Sequence, residues 1–254
     1  MNTTKERIEL FNAKIDPLTM DETLQSVERI IEGRVVTQHV VVNVAKLVMM
    51  QKDEKLREIV NSCGLINADG QGVVWGANML GMKIPERVAG IDLFVKLIAL
   101  AAEKGYRPYF LGARPHIVEK VARHFKSIHP KLEIAGWRDG YFQPREEREV
   151  AEKIRHSGAD ILFVAMSSPK KEIFLSEYSS VMEVPFVMGV GGSFDVVAGY
   201  VQRAPVWMQR LGLEWFHRMM AEPSRMGKRY LVTNAIFLTM MMKAVVKNAF
   251  RKKR

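Results

Sequence analysis

Cysteine is almost missing from this chain: Cys63 is the only one in 254 residues. No intramolecular disulfide can form and a cysteine-based zinc site has no ligand set, which is the usage of a reducing compartment. Cys63 itself reads as a small buried hydrophobe. Also absent are D-x-D, H-E-x-x-H, G-x-S-x-G and G-x-x-x-x-G-K-[ST], so metal hydrolysis, serine hydrolysis and P-loop chemistry have no motif to rest on. The six histidines are scattered, and His124 and His129 read as surface residues near one helix end. The opening MNTTKERIEL mixes charged with apolar residues; no secretory signal is expected there, and the chain is expected to remain on the cytoplasmic side.

Acidic residues are lacking in one region. Residues 225–254 contain nine lysines and arginines and no aspartate or glutamate, so of the overall net charge of +10 only +1 belongs to residues 1–224. A nucleic-acid-binding module needs its positive charge on the folded body. The distribution therefore argues against nucleic acid and describes a neutral body with a basic tail. Long apolar runs are scarce too: thirteen uncharged residues, Tyr230 to Met242, lie between Arg229 and Lys243. That is about 20 Å of helix against a hydrocarbon core of about 30 Å, too short to span. Thr239, Lys243, Lys247 and Arg251 recur every fourth residue, while Leu231, Ala235, Leu238, Met242, Val245 and Ala249 face elsewhere. The pattern predicts a helix lying on an anionic membrane surface, with a core-docking or oligomer-forming helix as the alternative.

What is present is the composition of a globular protein, with 48% hydrophobic and 26% charged residues. Thr19 to Glu22 forms a capping box opening a helix to about Gly33, and the nearly continuous apolar run Gln38 to Ala45 predicts a strand covered on both faces. A helix ending near Gly64, a strand at Leu65 to Ala68, and helices from Gly72 and Gly90 follow, the last closed by Gly105. The second half predicts strands at Tyr106 to Gly112, Leu132 to Trp137, Asp160 to Ala165 and Pro185 to Gly189, with helices at Pro115 to Ile128, Glu146 to Ser157 and Lys170 to Ser180. Such alternation implies an α/β fold with a mainly parallel sheet over residues 1–202, followed by a helical basic appendage at 203–254.

Ligands of open parallel sheets gather at the carboxyl ends of strands. The unusual residues fall there: Asn43, Asp69, Gly112, Ser167 to Lys171, and Gly189 to Asp195. Asp69, in N-A-D-G-Q-G, reads either as a helix N-cap or as a general base for a hydroxyl nucleophile. Arg87, in the loop P-E-R-V-A-G, reads either as a surface ion pair or as a phosphate clamp. In G-V-G-G-S-F-D the glycines, Gly191 and Gly192 among them, let the backbone approach a nucleotide or diphosphate closely. The segment lacks the G-x-G-x-x-G order of a dinucleotide fingerprint.

Several segments together resemble the WecG/TagA/CpsF glycosyltransferase family (glycosyltransferase family 26) of bacterial cell-surface polysaccharide synthesis. They are VVNVAKLV at 41–48, NADGQGVVW at 67–75, PERVAGID at 85–92, YFLGA at 109–113, GWRDGYF at 136–142, MGVGGSFDVVAG at 188–199 and RAPVWMQRLGLEWFHR at 203–218. They run in order across almost the whole chain.

The resemblance implies a Rossmann-like enzyme of the GT-E type. Such an enzyme transfers a sugar with inversion from a UDP-sugar to a polyprenyl-diphosphate-linked saccharide, in surface or extracellular polysaccharide synthesis. It implies Asp69 as base, Asn43 and Arg87 lining the donor pocket, and the glycine loop ending at Asp195 holding the nucleotide. Arg218, Arg225 and Lys228 or Arg229 would close over the diphosphate. No cofactor and no metal is implied, so side chains must neutralise the leaving group. The expected partners are the donor, the lipid-linked acceptor and an anionic membrane at the cytoplasmic face of the inner membrane, with a homo-oligomer left open. The chain departs from the family at S-S-P-K-K-E, 167–172, where Lys171 replaces a common glutamine, and at Val41, where threonine is frequent. A cation at 171 suits a carboxylated sugar or an added diphosphate contact. The competing functions are a Rossmann-type nucleotide-dependent oxidoreductase and a non-enzymatic nucleic-acid-binding protein.

Overall fold

A computed structural model describes residues 6–251. The chain opens with a short antiparallel hairpin, β1 (Ile8–Leu10) and β2 (Ala13–Ile15), whose turn places Phe11 and Asn12 at positive φ. The hairpin was not foreseen: three-residue strands are too short to show alternation. It is fastened from outside, because Arg7 pairs with Asp16 and donates to the carbonyls of Cys63 and Gly64. Helix α1 (Met20–Glu32) follows with both hydrogen bonds of the Thr19 capping box made.

Strand β3 (Thr37–Val42), helices α2 (Val44–Lys52) and α3 (Glu54–Ser62), strand β4 (Leu65–Ala68) and helix α4 (Gln71–Met79) build one flank. Two expectations are corrected here. β3 stops at Val42 because the Asn43 side chain accepts from the Lys46 amide and starts a helix at once. The single helix expected up to Gly64 is two, broken where Asp53 caps α3 by accepting from the Leu56 amide.

The other flank comprises α5 (Gly90–Lys104), β5 (Pro108–Gly112), α6 (Pro115–Ile128), β6 (Gly136–Arg138), α7 (Glu147–His156), β7 (Ile161–Ala165), α8 (Lys170–Met182), β8 (Phe186–Gly189) and α9 (Ser193–Val197). Gly105 ends α5 in the left-handed region, as expected. β6 is shorter than expected and pairs only with β5, a short edge that leaves little backbone unpaired.

The six main strands are all parallel, in the order β4-β3-β8-β7-β5-β6. β5 and β7 are buried along their whole length, which is why they read as unbroken apolar runs. On one face, Phe94, Phe110, Phe125, Phe163 and Phe194 pack among α1, α5 and α6; on the other, separate clusters lie under α2 to α4 and under α7 and α8.

After α10 (Val206–Arg210) and α11 (Glu214–Ala221), a π-helical turn at Pro223–Gly227 leads into α12 (Lys228–Arg251). This 24-residue helix is not free of the body. Phe237 and Met241 enter the core cluster beneath α2 and α4, and Phe237 stands edge-on to Phe11. A Cβ at Gly76 would come within 3.1 Å of both side chains, so glycine there lets α12 approach α4 closely. The docked residues are not on the face that the sequence marked as apolar. Leu231, Leu238, Met242 and Val245 remain exposed, and so do Lys243 and Lys247.

Candidate active site

The backbone brings three predicted residues to one place. Val42 and Ala68 are register partners, and the Asp69 amide donates to the Val42 carbonyl at 2.8 Å, so Asn43 and Asp69 leave adjacent strands side by side. The Val88 amide donates to the Ala68 carbonyl at 2.9 Å, which lays the loop carrying Arg87 against the end of β4. Asp69 does not cap a helix. Gly70 holds the cap position of α4, at φ 103, with no side-chain cap bond. Among the described residues the Asp69 carboxylate has no hydrogen bond.

Its surroundings make Asp69 a better base than an ordinary aspartate. Burial pushes its carboxyl up to about 6, and the Glu214 charge pushes the same way, while Arg87, Arg218 and Lys46 pull it down. A base with this affinity for protons is still ionised at neutral pH and takes a hydroxyl proton more readily. Arg87 combines both of its sequence readings: it is mostly buried and ion-paired to Glu214. Glu214 and Arg218 stand one turn apart on α11, so the C-terminal segment supplies charges of both signs to the pocket. Arg225 falls in the π-helical turn, and its side chain lies outside the described residues.

Beside this group lies a buried charge cluster. Glu172 Oε1 receives Lys46 Nζ at 2.8 Å and Lys171 Nζ at 2.6 Å, while Oε2 has no partner among the described residues. Burial alone would raise the Glu172 carboxyl, but the two ammonium groups hold it at about 2. Burial and the neighbouring Lys46 push Lys171 down to about 8 against the pull of Glu172, and Arg229 adds to the repulsion. One carboxylate thus faces two cations, at the first turns of α2 and α8, where helix dipoles already disfavour positive charge. The Lys171 stem crosses directly over Gly189, where a Cβ would sit 2.6 Å from its Cε.

Gly191 and Gly192 follow β8, with Gly191 at φ 52, and Asp195 lies in the first turn of α9. They stand one strand from β3, on the side away from Asp69. Gly112 is not brought to this group. β8 and β7 lie between β3 and β5, about 14 Å of sheet at the usual strand spacing. Its glycine has a backbone cause: φ is 116 and a Cβ would meet the Ala165 carbonyl oxygen at 2.4 Å. Sequence reasoning missed Lys46, Glu172, Glu214 and Arg203. The first two are buried charges in opening helix turns, a weak signal, and Arg203 and Glu214 stood in a recognised segment without a role.

The sequence profile of the glycosyl transferase WecG/TagA/CpsF family matches residues 8–251. The chain belongs to that family. Among curated relatives, a Bacillus subtilis (strain 168) protein is 36% identical over 199 residues, covering 78% of this chain and 77% of that protein. A Bacillus spizizenii (strain W23) protein is 37% identical over 174 residues, covering 68% and 67%. Both are named N-acetylglucosaminyldiphosphoundecaprenol N-acetyl-beta-D-mannosaminyltransferase. Within the WecG/TagA/CpsF fold of this chain, the C-terminal ends of β3 and β4 carry a raised carboxylate between two arginines. That is the equipment of a displacement in which a hydroxyl attacks and an anion departs.

Proposed function

We propose that this glycosyltransferase moves a sugar from a UDP-sugar to a saccharide carried on polyprenyl diphosphate, with inversion, in surface or extracellular polysaccharide synthesis. The supporting observation is the Asp69 carboxylate, free of hydrogen bonds among the described residues and raised to about 6, beside Arg87 and Arg218. Asp69 takes the proton of the acceptor hydroxyl as its oxygen attacks the anomeric carbon from the face opposite the diphosphate. The bond from that carbon to the diphosphate breaks, and UDP leaves with the electron pair. Arg87 and Arg218, with Arg225, balance the charge that develops on the departing group. The glycine loop at 191–192 and Asp195 hold the nucleotide, and Asn43 lines the sugar end of the pocket.

The acceptor class comes from the two relatives, whose names specify a lipid diphosphate carrying N-acetylglucosamine. The surface supports a membrane position. The thirteen uncharged residues alone are too short to span, but the whole of α12, counted with the residues flanking them, is long and apolar enough to cross a bilayer by length and composition, which corrects that expectation. The helix nevertheless lies along the body with Phe237 and Met241 in the core. Its exposed Leu238 and Met242 join exposed Trp75 and Met79 of α4 and Trp207 of α10 as apolar groups open to solvent. With Lys243 and Lys247, these suit peripheral binding to anionic lipid at the cytoplasmic face. In this reading 203–254 is an appendage that both completes the pocket and anchors the chain.

The test is release of UDP from a panel of UDP-sugars in the presence of a short-chain lipid-diphosphate saccharide, with UDP affinity measured by calorimetry. Arg87→Ala is expected to weaken UDP binding about tenfold or more, since a charge-assisted contact is worth about 1.5 to 3 kcal/mol. An unchanged affinity removes Arg87 from the diphosphate site. Binding of nicotinamide dinucleotide in place of UDP would favour an oxidoreductase.

A further inference from the structure

Glu214 is a carboxylate placed among the cations that should receive a diphosphate. Through Oε2 it pairs with Arg87 Nη1, and Arg203 Nε reaches its Oε1 at 3.5 Å. Arg203 in turn grips Asp92 with two hydrogen bonds, of 2.6 and 2.7 Å. The network joins the loop before α5, the first turn of α5 and the C-terminal segment. Fastening that segment to the body is already accomplished by the two-bonded Arg203 and Asp92 pair. Glu214 adds a contact to the arginine beside the base.

We propose that Glu214 is a positioning residue for sugar transfer: its carboxylate holds the Arg87 guanidinium in place for the incoming diphosphate and keeps it from pairing fully with the Asp69 carboxylate. The inference rests on reading Asp69 as base and Arg87 as diphosphate ligand. Four charged groups act on Asp69: Arg87 from the loop before α5, Glu214 and Arg218 from α11, and Lys46 from α2. Glu214 is the one anion among them. With it present, the free site is close to balanced. When diphosphate arrives, its oxygens replace the Glu214 carboxylate on Arg87, so the base never faces an unopposed guanidinium before or after loading.

Removing the Glu214 charge therefore has consequences of opposite sign. In Glu214→Gln, Arg87 is relieved of its competing anion, so UDP is expected to bind several-fold more tightly by calorimetry. Asp69 is left among three cations, so the acid limb of the pH profile of kcat/KM for the donor, which reports the free enzyme, should move down by about one pH unit. Turnover at the plateau should fall, because the base has become weaker. Glu214→Asp, which keeps the charge on a shorter stem, should restore most of the wild-type profile. A residue that only braces α11 would lower kcat without moving the acid limb and would leave UDP affinity equal or weaker; that pattern overturns the proposal. Should Glu214→Gln fail to fold, Glu214→Asp carries the test, with a small downward shift of the acid limb supporting the proposal and an unmoved limb overturning it. Asp69→Asn in the same assay separates the two levels: undiminished turnover there removes the base assignment and this inference with it. Tighter UDP binding alone leaves Arg87 and Glu214 as an assigned pair.

Discussion

Around β5 and β7 the buried core is aromatic, with Phe110 stacked against Phe163 at 6.0 Å and Phe125 at 6.1 Å, and edge-on to Phe94 and Phe194. Around β3, β4 and β8 the buried set includes Lys46, Lys171, Glu172, His39 and Asn67. His39 donates through Nε2 to Asn67 Oδ1 at 2.9 Å, and burial holds its imidazole down at about 4, so it stays neutral. Both halves obey the same parallel α/β plan. The aromatic half contributes rigidity, whereas the polar half accepts desolvated charge, which costs stability and is retained where chemistry needs it.

The largest expected effect breaks the comparison from the aromatic side. Phe110→Ala removes a fully buried ring that contacts four others and should cost about 3 to 5 kcal/mol of unfolding free energy, read by denaturant titration. Any loss of UDP affinity in the folded fraction should be small by comparison and carried through Phe194, which packs on Phe110 and stands next to Asp195.

Asp69→Asn is the converse. Turnover should drop by roughly 10²-fold or more while UDP still binds. Folded-state stability should rise. The Asp69 carboxyl is held at about 6 against 3.8 for an ordinary aspartate, so folding is coupled to proton uptake between those values. Stability therefore falls as pH rises from about 4 to about 6 and stays lower above, and the uncharged amide removes that cost, about 3 kcal/mol at neutral pH. In the wild type, kcat/KM for the donor should fall as pH drops through about 6. A flat pH profile down to pH 5 would argue against the base.

Lys171→Gln sharpens the comparison within the polar half. If the second cation beside Glu172 faces a carboxylated sugar, activity with a uronic-acid donor should fall about tenfold or more, and activity with the neutral analogue should change much less. Equal losses on both donors would assign Lys171 to the diphosphate or to the Glu172 pair. The smallest effect is expected at the surface: Lys247→Gln should weaken salt-sensitive binding to anionic vesicles by about 1 kcal/mol, a several-fold change in a sedimentation assay. Turnover on a soluble acceptor should be unaltered.

Much of the fold was legible because periodicity and punctuation agree. The Thr19 capping box, the left-handed Gly105 and the apolar runs of β5 and β7 are local signals, and each formed as expected. The hairpin at 8–15 was not legible, because its stability comes from Arg7 reaching Asp16 and the carbonyls of Cys63 and Gly64. The α12 helix was visible as a helix, but its docked face was not. Phe237 and Met241 turn inward because Gly76 opens a path for them, and nothing near residue 240 in the sequence reports that glycine.

The sequence by itself determined the strand and helix order, the neutral body and basic tail, and the candidacy of Asn43, Asp69, Arg87 and the glycine loop, since strand ends concentrate such residues. Only the tertiary structure decided which of them meet. Two backbone hydrogen bonds, Asp69 to Val42 and Val88 to Ala68, set base and arginine side by side, and the strand order leaves Gly112 across the sheet. It also decided that Glu214, 127 residues from Arg87, shares its charge, and that Lys46 and Lys171 share one carboxylate. Electrostatic partners are fixed by distance in space and by the water that burial removes, and a linear pattern encodes neither.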